Sequence, residues 1–244
     1  ISPITGMFFS VEVLLKKMTL RTVGVSLTMS TIAMLIGSLV KGFQPYYILH
    51  DMTFTLTSFI FILILAPLTG LAGGFFRRFF QWAEKNQTKS KSILWQLPAI
   101  ALMTGLVAYF FPEIMGNGRS LAQFAINSQQ MHLVVVLVCG ALLKVIITVL
   151  TIRAGAAGGT LTPSIAVGSA FGAVLVLLLN FFLPGVSVGQ GAILGAGTLL
   201  AASQQAPFMA MFMLIEITHL NYSALLPLAL GIIISSAVSR KVLS

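Results

Sequence analysis

Charge is scarce in this chain, and negative charge scarcer still. Lys and Arg number 14, Asp and Glu only 5, while 57% of the 244 residues are hydrophobic. Charged residues make up 8%, where a soluble domain carries about a quarter, and the mean hydropathy is +1.01. So few charges cannot cover a surface for water. This excludes a water-soluble globule and leaves an all-α integral membrane protein with no soluble domain. Cysteine is nearly missing too. Cys139 stands alone in an apolar run, which excludes an intrachain disulfide or a cysteine metal cluster. His50, His132 and His219 are scattered without ligand spacing, so no metal and no cofactor are expected. No Ser-His-Asp set, soluble carboxylate pair or phosphate-cradling loop supplies enzyme chemistry. There is no secretory signal. Ile1, not a methionine, leads straight into an apolar stretch, as though the sequence starts inside a longer one.

The positive charge that is present is clustered. The net charge of +9 comes largely from Lys16, Lys17 and Arg21, from Arg77, Arg78, Lys85, Lys89 and Lys91, and from Arg240 and Lys241. Each cluster flanks an apolar span. That is the pattern of cytoplasmic loops beside an anionic leaflet, not the patch of a nucleic-acid binder. The lipid bilayer is the expected partner.

Apolar runs cover residues 4–15, 22–40, 53–76, 93–111, 131–152, 164–183, 191–201, 206–217 and 223–238. Four of them, 22–40, 53–76, 93–111 and 131–152, reach the length that crosses about 30 Å of hydrocarbon. Several later ones are too short to cross upright. Short helices broken by Gly and Pro occur where a chain stops inside a membrane and lines a cavity. Residues 81–92 read as a cytoplasmic loop. Residues 41–52, with Lys41 and Asp51, and residues 112–119 then lie on the outer side. Gly37, Gly70, Gly73 and Gly74 read as helix-packing positions.

One pattern repeats. Pro3, Met7, Phe8 and Glu12 recur at a single offset as Pro207, Met211, Phe212 and Glu216. Transport folds are often duplicated, so residues 1–18 read as the end of one repeat and 19–244 as most of a second. Intramembrane carboxylates are costly. The paired positions of Glu12 and Glu216 suit a shared structural role, such as bonding backbone donors, with a direct role in permeation as the alternative.

The segment from Arg153 to Ser164 carries the strongest chemical signal. Gly155, Gly158 and Gly159 permit unusual backbone angles and close approach, and Pro163 suits a first helical turn. A helix starting there presents N–H groups without internal partners and a partial positive charge, which suits an anion. Backbone donors and the hydroxyls of Thr160 and Thr162 hold chloride weakly enough for release, as conduction requires. A tight helix-packing turn of small residues is the rival reading. Lys144, in a long apolar run, either faces a pore, where its charge favours anions, or snorkels to an interface. Arg119 and Arg153 either draw anions into two vestibules or mark helix ends.

These residues resemble the CLC chloride channel and transporter family, in the manner of its bacterial ClcB-type subgroup. Gly-Gly-Thr-Leu-Thr-Pro-Ser (158–164) is similar to the family's Gly-x-Phe-x-Pro anion motif. Leu199 to Pro207, running on to Thr218, resembles its late helix pair, Ser2 to Glu12 the end of its first repeat, and Pro112 to Gly118 its outer Gly-x-Gly segment. The resemblance runs in family order over nearly the whole chain. It implies an inverted-repeat bundle with short, tilted and re-entrant helices, of which this chain is the C-terminal half. It implies chloride as substrate, held at residues 158–163, with the N–H groups of Thr160 and Leu161 at a central ion. It implies a homodimer joined through segments matching 1–14, 22–40, 206–217 and 223–238, in a bacterial inner membrane.

The sequence also departs from the family. Leu161 replaces the motif phenylalanine. The Gly-Ser-Gly-Ile-Pro and Gly-Lys/Arg-Glu-Gly-Pro signatures, the latter with the gating glutamate, occur nowhere in it and are expected upstream of Ile1. Ser244 precedes the helix that normally supplies a chloride-binding tyrosine. Val13 stands where family exchangers carry a proton-relay glutamate. The expectation is a passive chloride channel of the voltage-gated type. The alternatives are a proton-coupled chloride or fluoride exchanger and, in a different class, a non-conducting membrane scaffold.

Overall fold

The computed structural model describes residues 2–49, 54–182 and 184–243. His50 and Asp51, assigned above to an outer loop, lie outside them. In hydrocarbon every backbone polar group must be satisfied within the protein, which favours helices throughout. The described residues form ten α-helices. These are α1 (Pro3–Phe8), which continues as a π-helical turn (Phe9–Leu14), α2 (Leu20–Lys41), α3 (Leu56–Lys85), α4 (Ile93–Phe110), α5 (Arg119–Asn127), α6 (Leu133–Arg153), α7 (Leu161–Leu179), α8 (Val188–Gln204), α9 (Pro207–Thr218) and α10 (Leu225–Leu243). Six of them, α2, α3, α4, α6, α7 and α10, are long and apolar enough to cross a membrane.

Three elements differ from the expected boundaries. The start of the supposed loop 81–92 is helical, because α3 runs on to Lys85. Phe80 and Ala83 carry it past the apolar run, burying against Val149 and Ile152 of α6. α10 reaches Leu243 and is span-length with the turn before it, ending on Arg240 and Lys241. α5 has no apolar run to announce it. It buries a single stripe, Leu121, Ala122, Ala125 and Ile126, at helical spacing.

The centre of the molecule is α8, buried on all sides between α3, α7 and α10. Glycines make this possible. Gly168 and Gly172 of α7 face Gly191 and Gly195 of α8, and a side chain at any of the four would meet the other helix. On α3, a methyl at Gly70 would lie 2.7 Å from the Ser235 carbonyl and one at Gly73 2.6 Å from Ala202 Cβ, while Gly74 abuts Val242. Gly37 differs from the packing reading, since nothing lies within 4 Å of its missing side chain. The same neighbours give directions. Gly70 beside Ser235 and Gly74 beside Val242 make α3 and α10 parallel, and Gly168 beside Gly195 with Gly172 beside Gly191 makes α7 and α8 antiparallel. Hydroxyls lock the stack, with Ser235 Oγ donating to the Thr198 carbonyl at 3.0 Å and Ser239 Oγ to Ala202 at 2.8 Å.

α2 and α4 stand on the outside. Trp95 and Tyr109, near opposite ends of α4, are 82% and 81% exposed, where amphipathic rings meet the two membrane surfaces. The basic clusters converge at one end. Lys16 and Arg77 line one cavity, and Val242, beside Lys241, packs on Gly74.

Candidate functional site

The route into α7 is shaped by one glycine and a staple. After Arg153, the chain turns at Gly155 with φ +107°, where a side chain would also run into Ile93 and sit 3.0 Å from the Thr88 carbonyl. The N–H of Thr88 donates to the Arg153 carbonyl at 2.9 Å and Gln87 Nε2 to Ala156 at 3.2 Å, so the basic loop holds the exit of α6. Gly155 is the residue of this stretch whose backbone needs glycine. Gly158 and Gly159 have negative φ, and their role is space, with nothing within 4 Å of a side chain at Gly159.

Four helix starts are closed by side chains, those of α1, α2, α8 and α9. Thr19 and Ser187 cap α2 and α8, accepting from Thr22 and Gln190. Glu12 accepts from the N–H groups of Phe208 and Met209 (3.4 and 2.7 Å) at the start of α9. Glu216 accepts from Ile4, Thr5 and the Thr5 hydroxyl (2.9, 2.8 and 2.6 Å) at the start of α1. The repeat is thus reciprocal, with each glutamate capping the other copy's helix, and Phe8 stacks on Phe208 and Phe212. α7 is treated differently. Thr160 sits at its cap without accepting from the helix, and Pro163, third in the helix, has no N–H. The N–H groups of Leu161 and Thr162 have no partner among the described residues.

These donors open onto a cavity of about 940 Å³, lined by Gly159, Leu161, Thr162, Pro163, Lys144, Asn117 and the facing side of α4. Lys144 is buried and donates to the Ile114 carbonyl at 2.9 Å and to Gly116, which leaves one ammonium hydrogen over. The Gly116–Gly118 turn bends in to meet it. Gly118 has φ +103°, and a methyl there would lie 2.9 Å from Ala166 Cβ and 3.3 Å from Lys144 Cε. The cavity therefore holds two sources of positive potential, and no carboxylate lines it among the described residues.

Thr160 faces elsewhere. It lines a second cavity of about 400 Å³ at the basic end, with Glu12, Val13, Lys16, Arg77, Glu84 and Gln204. Gly158 lines neither cavity. Arg119 and Arg153 mark helix ends. Arg119 opens α5, donates to the Tyr46 carbonyl at 2.9 Å and lies over the Tyr46 ring at 4.3 Å, while Arg153 closes α6 at 5.1 Å from the Trp82 ring. Neither lines either of these two cavities. Beside Arg119, the Tyr47 hydroxyl is buried without a partner among the described residues, and burial pushes its phenol above the ordinary range.

Arg77, read from sequence only as part of a basic cluster, and Gln204 take up new contacts at the second cavity. Arg77 donates to the Ser203 carbonyl at 2.9 Å and Gln204 Nε2 to Thr160 Oγ1 at 2.9 Å. The available signal was a polar residue just past the end of an apolar run in each case.

The voltage gated chloride channel family model matches residues 1–240. The chain belongs to this family. It is 28% identical over 249 residues to the voltage-gated ClC-type chloride channel ClcB of Salmonella typhimurium and 28% over 247 residues to that of Escherichia coli O81, covering 98% of this chain and 58% of each relative. The chain thus spans under two thirds of these relatives. Among solved structures it resembles a slow cyanobacterial Cl⁻/H⁺ antiporter (TM-score 0.82, 23% identity, 98% of this chain and 57% of that one) and a CLC-type fluoride/proton antiporter (0.71, 22%, 98% and 57%). At such identity the likeness is one of fold, a multi-pass helical membrane fold of the CLC type.

Proposed function

We propose that the full-length protein conducts chloride passively through a bacterial inner membrane, as a voltage-gated-type channel built from two copies of the chain. The observation that carries this reading is the open start of α7 facing a cavity that it shares with Lys144 and with no carboxylate. Within residues 158–163, the N–H groups of Leu161 and Thr162 supply weak donors, and Lys144 supplies attraction at a distance. Residues 1–18 close the first repeat and 19–244 form most of the second. α1, α2, α9 and α10 face the second copy, which fits the little surface that α2 buries within its own chain.

Passive movement is supported by Val13. It lines the cavity at the basic end and carries no proton, whereas exchangers of the resembled family place a glutamate there. The fold serves both modes, so flux decides. In liposomes containing full-length protein, a chloride gradient should drive chloride efflux without uphill proton movement. Lys144→Met should lower the apparent chloride affinity roughly ten-fold, the scale of one charge-assisted contact. Proton uptake coupled to chloride would replace this reading with exchange, and liposomes that move no halide would leave a membrane scaffold.

A further inference from the structure

The hydroxyl at the start of α7 has been released from the role that such hydroxyls usually fill. At Thr19 and Ser187 the cap residue is extended (ψ 158° and 152°), and its oxygen accepts from the third helical N–H. At Thr160 the backbone is near-helical (φ −99°, ψ −5°), and the third residue is Pro163, which has no N–H to give. Its oxygen instead accepts from Gln204 Nε2 at 2.9 Å, across from the last residue of α8.

The neighbours fix which end of the Gln204 amide points there. Ser203 Oγ donates its only proton to the Leu200 carbonyl at 3.1 Å, so it offers a lone pair to Gln204 Nε2, 3.5 Å away. A nitrogen with two hydrogens serves both hydroxyls, while an oxygen there would face the Ser203 lone pair. With a lone pair of Thr160 Oγ1 engaged, the hydroxyl proton points away from Gln204, and no acceptor for it occurs among the described residues.

We infer that Gln204 is a positioning residue for the permeating anion. By donating to Thr160 Oγ1 it turns that hydroxyl into a donor facing the second cavity, at the residue that precedes the open N–H groups of α7. The inference rests on α7 being the chloride site, and it assigns Gln204 a part in affinity that it plays only through Thr160.

The test is a double-mutant cycle on the full-length protein in detergent, with chloride binding measured by calorimetry. Gln204→Met keeps length and shape but removes the donor, and Thr160→Val keeps shape but removes the hydroxyl. Each should weaken chloride about ten-fold, the pair should be no worse than Thr160→Val alone, and Thr160→Ser should bind like the wild type. Gln204→Glu, whose oxygens accept from the hydroxyl, should bind more weakly than Gln204→Met. Unchanged affinity in Gln204→Met or Gln204→Glu, or fully additive losses in the pair, would overturn the inference. If Thr160→Val weakens chloride and Gln204→Met does not, only the role of Gln204 fails. If wild-type protein binds no chloride, the reading of α7 fails and takes this one with it.

Discussion

A buried hydroxyl with no partner is a cost that a single substitution removes. Tyr47 is 1% exposed, sits in the main apolar cluster and has a hydroxyl with no partner among the described residues. Tyr47→Phe should leave thermal stability in detergent unchanged or raise it by up to about 1 kcal/mol. A loss above that size would show that the hydroxyl has a partner. The pH dependence follows from the direction of the shift. Folding holds the phenol protonated, while in the unfolded chain it ionises near about pH 10. Above that pH the unfolded state binds fewer protons, so stability falls as pH rises. Wild-type protein should lose stability relative to Tyr47→Phe between about pH 10 and 11, and parallel curves would count against this account.

At the scale of elements, the exchange of caps between α1 and α9 makes an ordered prediction. Glu216 accepts three hydrogen bonds and Glu12 two, one of them long. Glu216→Ala should therefore destabilise more than Glu12→Ala, with losses on the order of 2 and 1 kcal/mol. Thermal melts that reverse the order would contradict the geometry. This pairing was visible in the sequence as a repeat of proline and glutamate, because a shared spacing records a shared contact. Most spans were legible for the same kind of reason, since hydrocarbon demands long apolar runs. The rest depended on tertiary partners. α5 is short and half polar, and α3 outlasts its apolar run because Phe80 and Ala83, at helical spacing, bury against Val149 and Ile152 of α6. The glycine segment showed that a helix begins near Thr160. It did not show that Thr160 and Leu161 face different cavities, which follows from where α8 ends.

At the scale of the whole molecule, the gathering of basic clusters at one end sets an orientation. With Cys139 replaced by serine, Lys89→Cys should react with a membrane-impermeant maleimide only from the cytoplasmic side and Met115→Cys only from outside. Both positions are exposed. Labelling of both from one side would break the topology. The same orientation recesses the start of α7. Arg77, level with Ser203, lies eight residues before the end of α3 at Lys85, so about 12 Å of helix extends beyond it.

The crossed glutamates also bear on how the protein is made. Thr5 and its acceptor Glu216 are 211 residues apart, and Met209 and Glu12 are 197 apart. The early helix leaves the ribosome long before its carboxylate exists. Its first N–H groups must stay hydrated near the bilayer surface until α9 is synthesised, because hydrocarbon does not tolerate them bare. When α9 arrives, the two helix starts are sealed by each other's residues. Burial of α1 is therefore a late event in biosynthesis, coupled to completion of the second repeat.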